Sequence, residues 1–287
     1  VGGKGADAIT GSDADSIDGG DGVDTVSFGA AVSKTNLLNA DLVNVENILI
    51  TNTADAAYDF SVQTEAMTIT GGAKADTITG GSGAESISGG VGVDSILGGA
   101  GNDTIVGQSD DFVDGGADTD TLEIAGNFND NGDGAIANFE VLNITAAGKN
   151  VILEEQTEAL VVNGFASGVN TIVGGDGNDI ITGATGHNDN LSGGSGEDTL
   201  IFNASMNLDF TGNDVGQSTT TVKKTAIKDI EVFDLGSYQS TLTLAPTDVL
   251  NLSTTINTLT VKGHTTNTLN LFNSPTDGTD WAQDDSG

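Results

Sequence analysis

Large aliphatic residues return along this chain every eight to ten positions, inside three clusters of glycine-rich units. Ile9, Ile17, Val26, Ile78, Ile87, Ile96, Ile105, Val113, Leu122, Ile181, Leu191 and Leu200 all hold one place in the pattern G-G-x-G-x-D-x-U-x, where U is the aliphatic. The first cluster reads GGKGADAIT (2–10), a shortened GSDADSID (11–18) and GGDGVDTVS (19–27). The second runs without a break from GGAKADTIT at 71–79 to GGADTDTLE at 115–123, with a shortened GQSDDFVD at 107–114. The third holds GGDGNDIIT (174–182), a lengthened GATGHNDNLS (183–192) and GGSGEDTLI (193–201). A lone apolar residue between two polar ones predicts a short strand with U inward and its neighbours outward. The glycines predict a tight bend with close backbone approach. Two units then form one coil of about 18 residues, and each bend stacks on the second one along.

Between the clusters the pattern loosens but still repeats. Acidic landmarks recur as LVNVENILIT around Glu46, AIANFEVLNIT around Glu140 and AIKDIEVFDLG around Glu231, and Glu65, Glu158 and Asp248 follow in register. Alternation such as Thr241-Leu242-Thr243-Leu244 and Thr258-Leu259-Thr260-Val261 predicts half-buried strands, and helical periodicity does not extend beyond short stretches. The expected class is therefore all-β. Rolls at 1–28, 71–124 and 174–202 alternate with β segments at 29–70 and 125–173 and a C-terminal β segment at 203–287. These intervening segments are either wider coils of one continuous solenoid or separate β-modules joined end to end.

Composition changes the picture in one respect. The chain has a formal net charge of −34, from 42 acidic residues against 8 basic ones, all lysine. Such self-repulsion ordinarily opposes collapse. One aliphatic side chain per unit is also too little to offset the ordering of nine backbones. Cations held by the carboxylates resolve both problems. Short acidic side chains on glycine bends, with peptide carbonyls nearby, form an all-oxygen donor set that suits calcium. Metal binding would then be coupled to folding, and the calcium-free segments are expected to be unfolded.

The nonapeptides resemble those of the RTX family of bacterial proteins exported by type I secretion. The resemblance implies a right-handed parallel β-roll with calcium in its turns, and folding outside the cell. It implies ligand carboxylates at Asp7, Asp24, Asp76, Asp94, Asp103, Asp120, Asp179 and Asp198, stacked as Asp7 with Asp24, Asp76 with Asp94, Asp103 with Asp120 and Asp179 with Asp198. Glu85 stands where aspartate is expected, opposite Asp103. Either Asp110 or Asp111 serves in the shortened unit, and Asp189 is displaced by the insertion around His187. Carbonyls near Gly3, Gly5, Gly20, Gly22, Gly90, Gly92, Gly99 and Gly101 complete the shells, for about six calcium ions. Lys74 replaces the fourth glycine of its unit and weakens the Asp76 pair. The intervening segments resemble connecting regions of RTX-type surface-layer proteins. The stretch from Ile230 to Phe272, with Trp281 beyond it, resembles one found near the ends of large RTX adhesins.

Other functions find less support. A surface this acidic with no arginine is a poor partner for nucleic acid, and no apolar run is long enough to span a membrane. There is no cysteine for disulfides or thiolate sites. His187 and His264, the only histidines, are far apart and read as surface residues. The glycine turns carry aspartate where a phosphate loop needs Lys and Ser/Thr. Calcium-dependent β-helix lyases commonly use arginine near the metal, and this chain has none. The expectation is a non-enzymatic, extracellular structural protein of the bacterial surface, a fragment of a surface-layer subunit whose partners are calcium, further copies in a lattice and/or lipopolysaccharide. The alternatives are a stalk or terminal module of an RTX adhesin and the non-catalytic calcium-binding domain of a secreted RTX enzyme. The first residues, Val1-Gly2-Gly3, begin inside a repeat with no signal peptide, so a longer parent chain is expected.

Overall fold

Every aliphatic of the repeat that is described sits in a short strand, and strands of the same cluster pair in parallel. The computed structural model describes residues 1–12, 15–29, 34–36, 42–130, 135–164, 170–182, 190–205, 207–210, 221–222, 227–245, 248–249, 252 and 258–271. They divide into two compact units, Val1–Asn143 and Ile144–Gly287.

In the first unit the register stacks Ile69, Ile87, Ile105 and Leu122 as direct partners down one face. Tyr58, Ile78, Ile96, Val113 and Ile136 stack down the other. Successive nonapeptides therefore alternate between two sheets, and one coil consumes two of them. The inward positions are closed to solvent: Ile78, Ile87, Ile105 and Leu122 are each 0% exposed. The flanking Thr77 and Ser86 point outward and are exposed, as strand geometry requires.

The segment between the first two clusters continues these sheets. Val26 pairs with Ile48, and Ile48 with Ile69, so the coils of 29–70 lie between the two rolls in one stack. These coils consume more residues, 22 from Asp24 to Glu46, and larger side chains fill them. Phe28, Tyr58 and Phe60, with Phe128 and Phe139 further on, are buried where the nonapeptides use aliphatics. Close packing favours that exchange, because a longer coil filled by Ile or Val alone leaves voids.

The second unit repeats the plan. Val162, Ile181, Leu200, Phe233 and Val261 stack in parallel register, and Val151, Ile172, Leu191 and Ile227 form the facing row. A further parallel set joins Leu208, Leu242 and Leu269. Phe233 lies edge-on to Phe202 and Phe210, with ring centroids 6.2 and 6.0 Å away. Among the described residues, only Asp248, Val249 and Leu252 are helical. The chain is an all-β solenoid of parallel strands, as the periodicity predicts.

Candidate calcium centres

Each row acid of the repeat stands at or just before the start of its strand, so stacking the strands stacks the acids into rows. The peptide N–H of Glu85 donates to Asp103 Oδ1 at 2.7 Å, and that of Asp103 donates to Asp120 Oδ1 at 2.7 Å. The facing row runs from the Asp76 N–H to Asp94 Oδ1 at 2.8 Å and from the Asp94 N–H to Asp111 Oδ1 at 2.9 Å. Asp7 donates to Asp24 at 2.7 Å, and Asp179 to Asp198 at 2.8 Å. All four pairs expected from the sequence are thus neighbours along a row, and so are Glu85 and Asp103. The residues in these pairs are 17 to 19 positions apart, one coil of the roll.

A row N–H takes one oxygen of Asp24, Asp94, Asp103, Asp111, Asp120 and Asp198; the second oxygen decides what the row can bind. Asp7, Asp24, Asp94, Asp103, Asp120 and Asp198 each leave Oδ2 buried with no hydrogen-bond partner, and Glu85 leaves Oε1 so. Asp24, Asp94, Asp120 and Asp198 are 0% exposed. An unmatched buried polar group costs about 1–3 kcal/mol, more when charged, and here such groups recur coil after coil. A divalent cation is the partner this arrangement fits.

Not every row member is left open. Asp76 accepts from Asn52 Nδ2 at 2.6 Å and from the Gly72 N–H at 3.0 Å. Asp111 takes the Gln108 N–H at 2.9 Å on its second oxygen. Asp179 takes the N–H groups of Leu160 and Gly175 at 2.9 and 3.2 Å. In these three, peptide or amide donors occupy both oxygens.

The bends supply the remaining oxygens. A β-carbon on Gly99 (φ +118°) would fall 2.2 Å from the Gly81 carbonyl oxygen, and one on Gly101 (φ +102°) only 1.9 Å from that of Gly83. Glycine is required there by both conformation and space. Gly5, Gly20 and Gly90 share this positive φ, while Gly3, Gly22 and Gly92 are more extended. Carbonyls thus line the bends coil upon coil. Among the described residues no three His, Cys, Asp or Glu side chains converge on a single point. An ion between two bends would therefore draw much of its shell from peptide carbonyls, with carboxylates entering from the row.

In the shortened unit the structure places Asp111 in the row at 1% exposure, while Asp110 is exposed, with Ser109 Oγ 3.4 Å from its Oδ1. Lys74 is exposed. Asp189 and His187 lie outside the described residues, and His264 is exposed. Sequence reasoning missed Glu46, Glu140 and Glu231 as row members. Glu46 Oε2 accepts from the Asp24 N–H at 2.7 Å, Glu140 Oε2 from the Asp120 N–H at 2.8 Å, and Glu231 Oε2 from the Asp198 N–H at 2.9 Å. Their regular spacing was the available signal, but it pointed to a module and not to a carboxylate in place. Met67, 3% exposed, interrupts the row between Glu46 and Glu85.

Metal-free, several row carboxylates hold their protons more tightly than ordinary ones do. Burial raises Glu85 and Asp198 to about 7 and Asp94 and Asp103 to about 6; amide donors partly oppose the rise, and neighbouring carboxylates add to it. Burial likewise raises Asp111, Asp120 and Asp179. A group with a raised folded-state pKa contributes stability fully below its unfolded value and loses it as pH rises through the folded value. Chelated protein should therefore gain β-structure on acidification from about pH 8 to about pH 5, across the shifted carboxylate range. Calcium affinity should fall over the same range, because protons compete for the same oxygens. Circular dichroism titrations with and without calcium check both signs; β-signal in chelator that stays flat across this range would contradict the first.

The same segments are recognised by sequence comparison. Four segments, residues 1–26, 68–96, 88–122 and 166–200, match the RTX calcium-binding nonapeptide repeat. RTX repeats bind calcium, and the proteins that carry them are typically secreted. No curated protein matches the chain. Among the described residues, no helix is long and apolar enough to cross a membrane.

Proposed function

We propose that this chain is a calcium-folded structural protein of a bacterial cell surface, a fragment of a surface-layer subunit without catalytic activity of its own. The observation that carries this reading is the recurrence of buried, unpartnered carboxylate oxygens along the coils. Such a chain depends on divalent ions for its cohesion, and extracellular calcium modules work near about 10⁻⁴–10⁻³ M. A surface of net charge −34 repels its own copies until cations bridge them, so the ion that folds the coils also permits lateral packing. The same cations can bridge the acidic coils to the phosphates of lipopolysaccharide.

The test is assembly. The chain brought from chelator to millimolar calcium should form sheets or filaments visible by negative-stain electron microscopy. A strictly monomeric product would overturn the lattice reading, and a calcium-loaded monomer that binds surface glycans would establish an adhesin module in its place.

A further inference from the structure

We propose that the three triplets Asn44-Val45-Glu46, Asn138-Phe139-Glu140 and Asp229-Ile230-Glu231 form divalent-cation sites that close the rolls, each holding an ion between the last nonapeptide aspartate and a glutamate outside every nonapeptide. The inference rests on the calcium reading of the rolls and extends it to residues that the repeat does not contain.

The triplets imitate a nonapeptide bend with three fewer residues. Gly19 precedes Asp24 by five positions, whereas Asn44 precedes Glu46 by two. The first residue of each triplet takes a positive φ that glycine would take more easily: 52° at Asn44, 55° at Asn138 and 53° at Asp229. A β-carbon on Gly19 would fall 1.9 Å from the Asn44 carbonyl oxygen. The Asn138 oxygen stands 2.2 Å from the same point on Gly115, and the Asp229 oxygen 2.1 Å from that on Gly193. The Gly19 oxygen stands toward Gly2 in the same way, at 2.0 Å, so each triplet continues the line of carbonyls. Its middle residue anchors it: Val45, Phe139 and Ile230 are buried. Its first side chain is tied back to the preceding coil. Asn44 Nδ2 donates to Asp18 at 3.0 Å, Asn138 Nδ2 to Asp114 at 2.7 Å, and Asp229 accepts from Ser192 Oγ at 2.9 Å.

The sign of a ligand is the carboxylate each triplet covers. Asp24, Asp120 and Asp198 are 0% exposed, and each keeps an Oδ2 with no partner. That oxygen is 2.6, 2.7 and 2.3 Å from the same β-carbon positions that the triplet carbonyls crowd. A carbonyl, a buried aspartate and a row glutamate thus gather at each closing bend. The set is all oxygen and anionic, which selects a hard divalent ion of the calcium class. The shortened bend lacks the outer carbonyls of G-G-x-G, so these ions are the weakest bound and fill last.

The experiment counts ions by native mass spectrometry at the lowest calcium that saturates the wild-type chain. The Glu46→Gln/Glu140→Gln/Glu231→Gln variant keeps an oxygen to accept the aspartate N–H while removing the charge. It should hold three fewer calcium ions with its β-signal intact; an unchanged count overturns the closing sites and leaves the rolls standing. A wild-type chain that binds no calcium overturns the roll reading itself. Should the variant lose its fold, carbodiimide labelling of the wild type decides. Glu140 is exposed, so burial cannot shield it; calcium should protect it while exposed Glu65 stays reactive. Equal labelling of Glu140 with and without calcium overturns the proposal.

Discussion

Chelating calcium from the full chain at neutral pH is expected to abolish most of its far-ultraviolet β-signal, and restoring about 10⁻⁴–10⁻³ M calcium should return it. The effect is large because little else holds the nonapeptide coils. Each unit turns one aliphatic inward, while Asp24, Asp94, Asp103, Asp120 and Asp198 carry buried carboxylate oxygens with no protein donor. Among the described residues, lysine does not neutralise them. Lys4 meets Asp21 at 3.9 Å and Lys228 meets Asp229 at 3.6 Å, both from exposed positions. Without a cation the coils confine like charges along a row at the spacing of neighbouring strands, about 4.8 Å, where mutual repulsion is strong. Binding energy and folding energy are then the same quantity. A spectrum indifferent to chelation would mean that aliphatic stacking alone suffices, and the calcium reading would fail.

The second large effect is expected from Asp103→Ala measured against Asp110→Ala. Asp103 lies mid-row in the longest cluster, accepts the Glu85 N–H at 2.7 Å and is 1% exposed. Removing it deletes a charge-assisted hydrogen bond worth about 1.5–3 kcal/mol, and with it a calcium ligand. Asp110 is acidic, close in sequence and exposed, so its removal should stay within about 0.5 kcal/mol. Calcium midpoints followed by circular dichroism should shift upward about tenfold or more for Asp103→Ala, the equivalent of about 1.4 kcal/mol, and hardly at all for Asp110→Ala. Equal shifts would show that the row does not set the affinity. Asp130 also lies outside the nonapeptide frame, yet it is 3% exposed. It makes a poor control, because a buried acid carries costs of its own.

Much of this was legible because the repeat is rigid in its demands. A glycine with φ +102° beneath a stacked carbonyl, as at Gly101, is strongly favoured over any other residue, so the motif shows even though Asp118 holds the same place at φ 85°. An inward strand position such as Ile105 must be apolar, so its period shows. The intervening coils impose weaker demands. A longer coil accepts Phe28, Tyr58 or Phe60 at irregular spacing, and the sequence reveals strands there without revealing their partners. Glu46, Glu140 and Glu231 show the limit most clearly. Their repetition was visible, but coil lengths of 22, 20 and 33 residues hide which aspartate each would meet. The choice between Asp110 and Asp111 was equally closed to spacing, because both lie about one coil after Asp94, in the bend that leads into the strand at Phe112.

The sequence by itself determined the coil, its inward aliphatic stripe, the pairing of acids one coil apart and the oxygen character of the ligands, because each follows from local geometry repeated at a fixed period. Only the tertiary structure decided which oxygens remain without a donor, where Met67 breaks the row and which glutamates complete it. Those outcomes depend on contacts between coils of unequal length, and no local pattern records them.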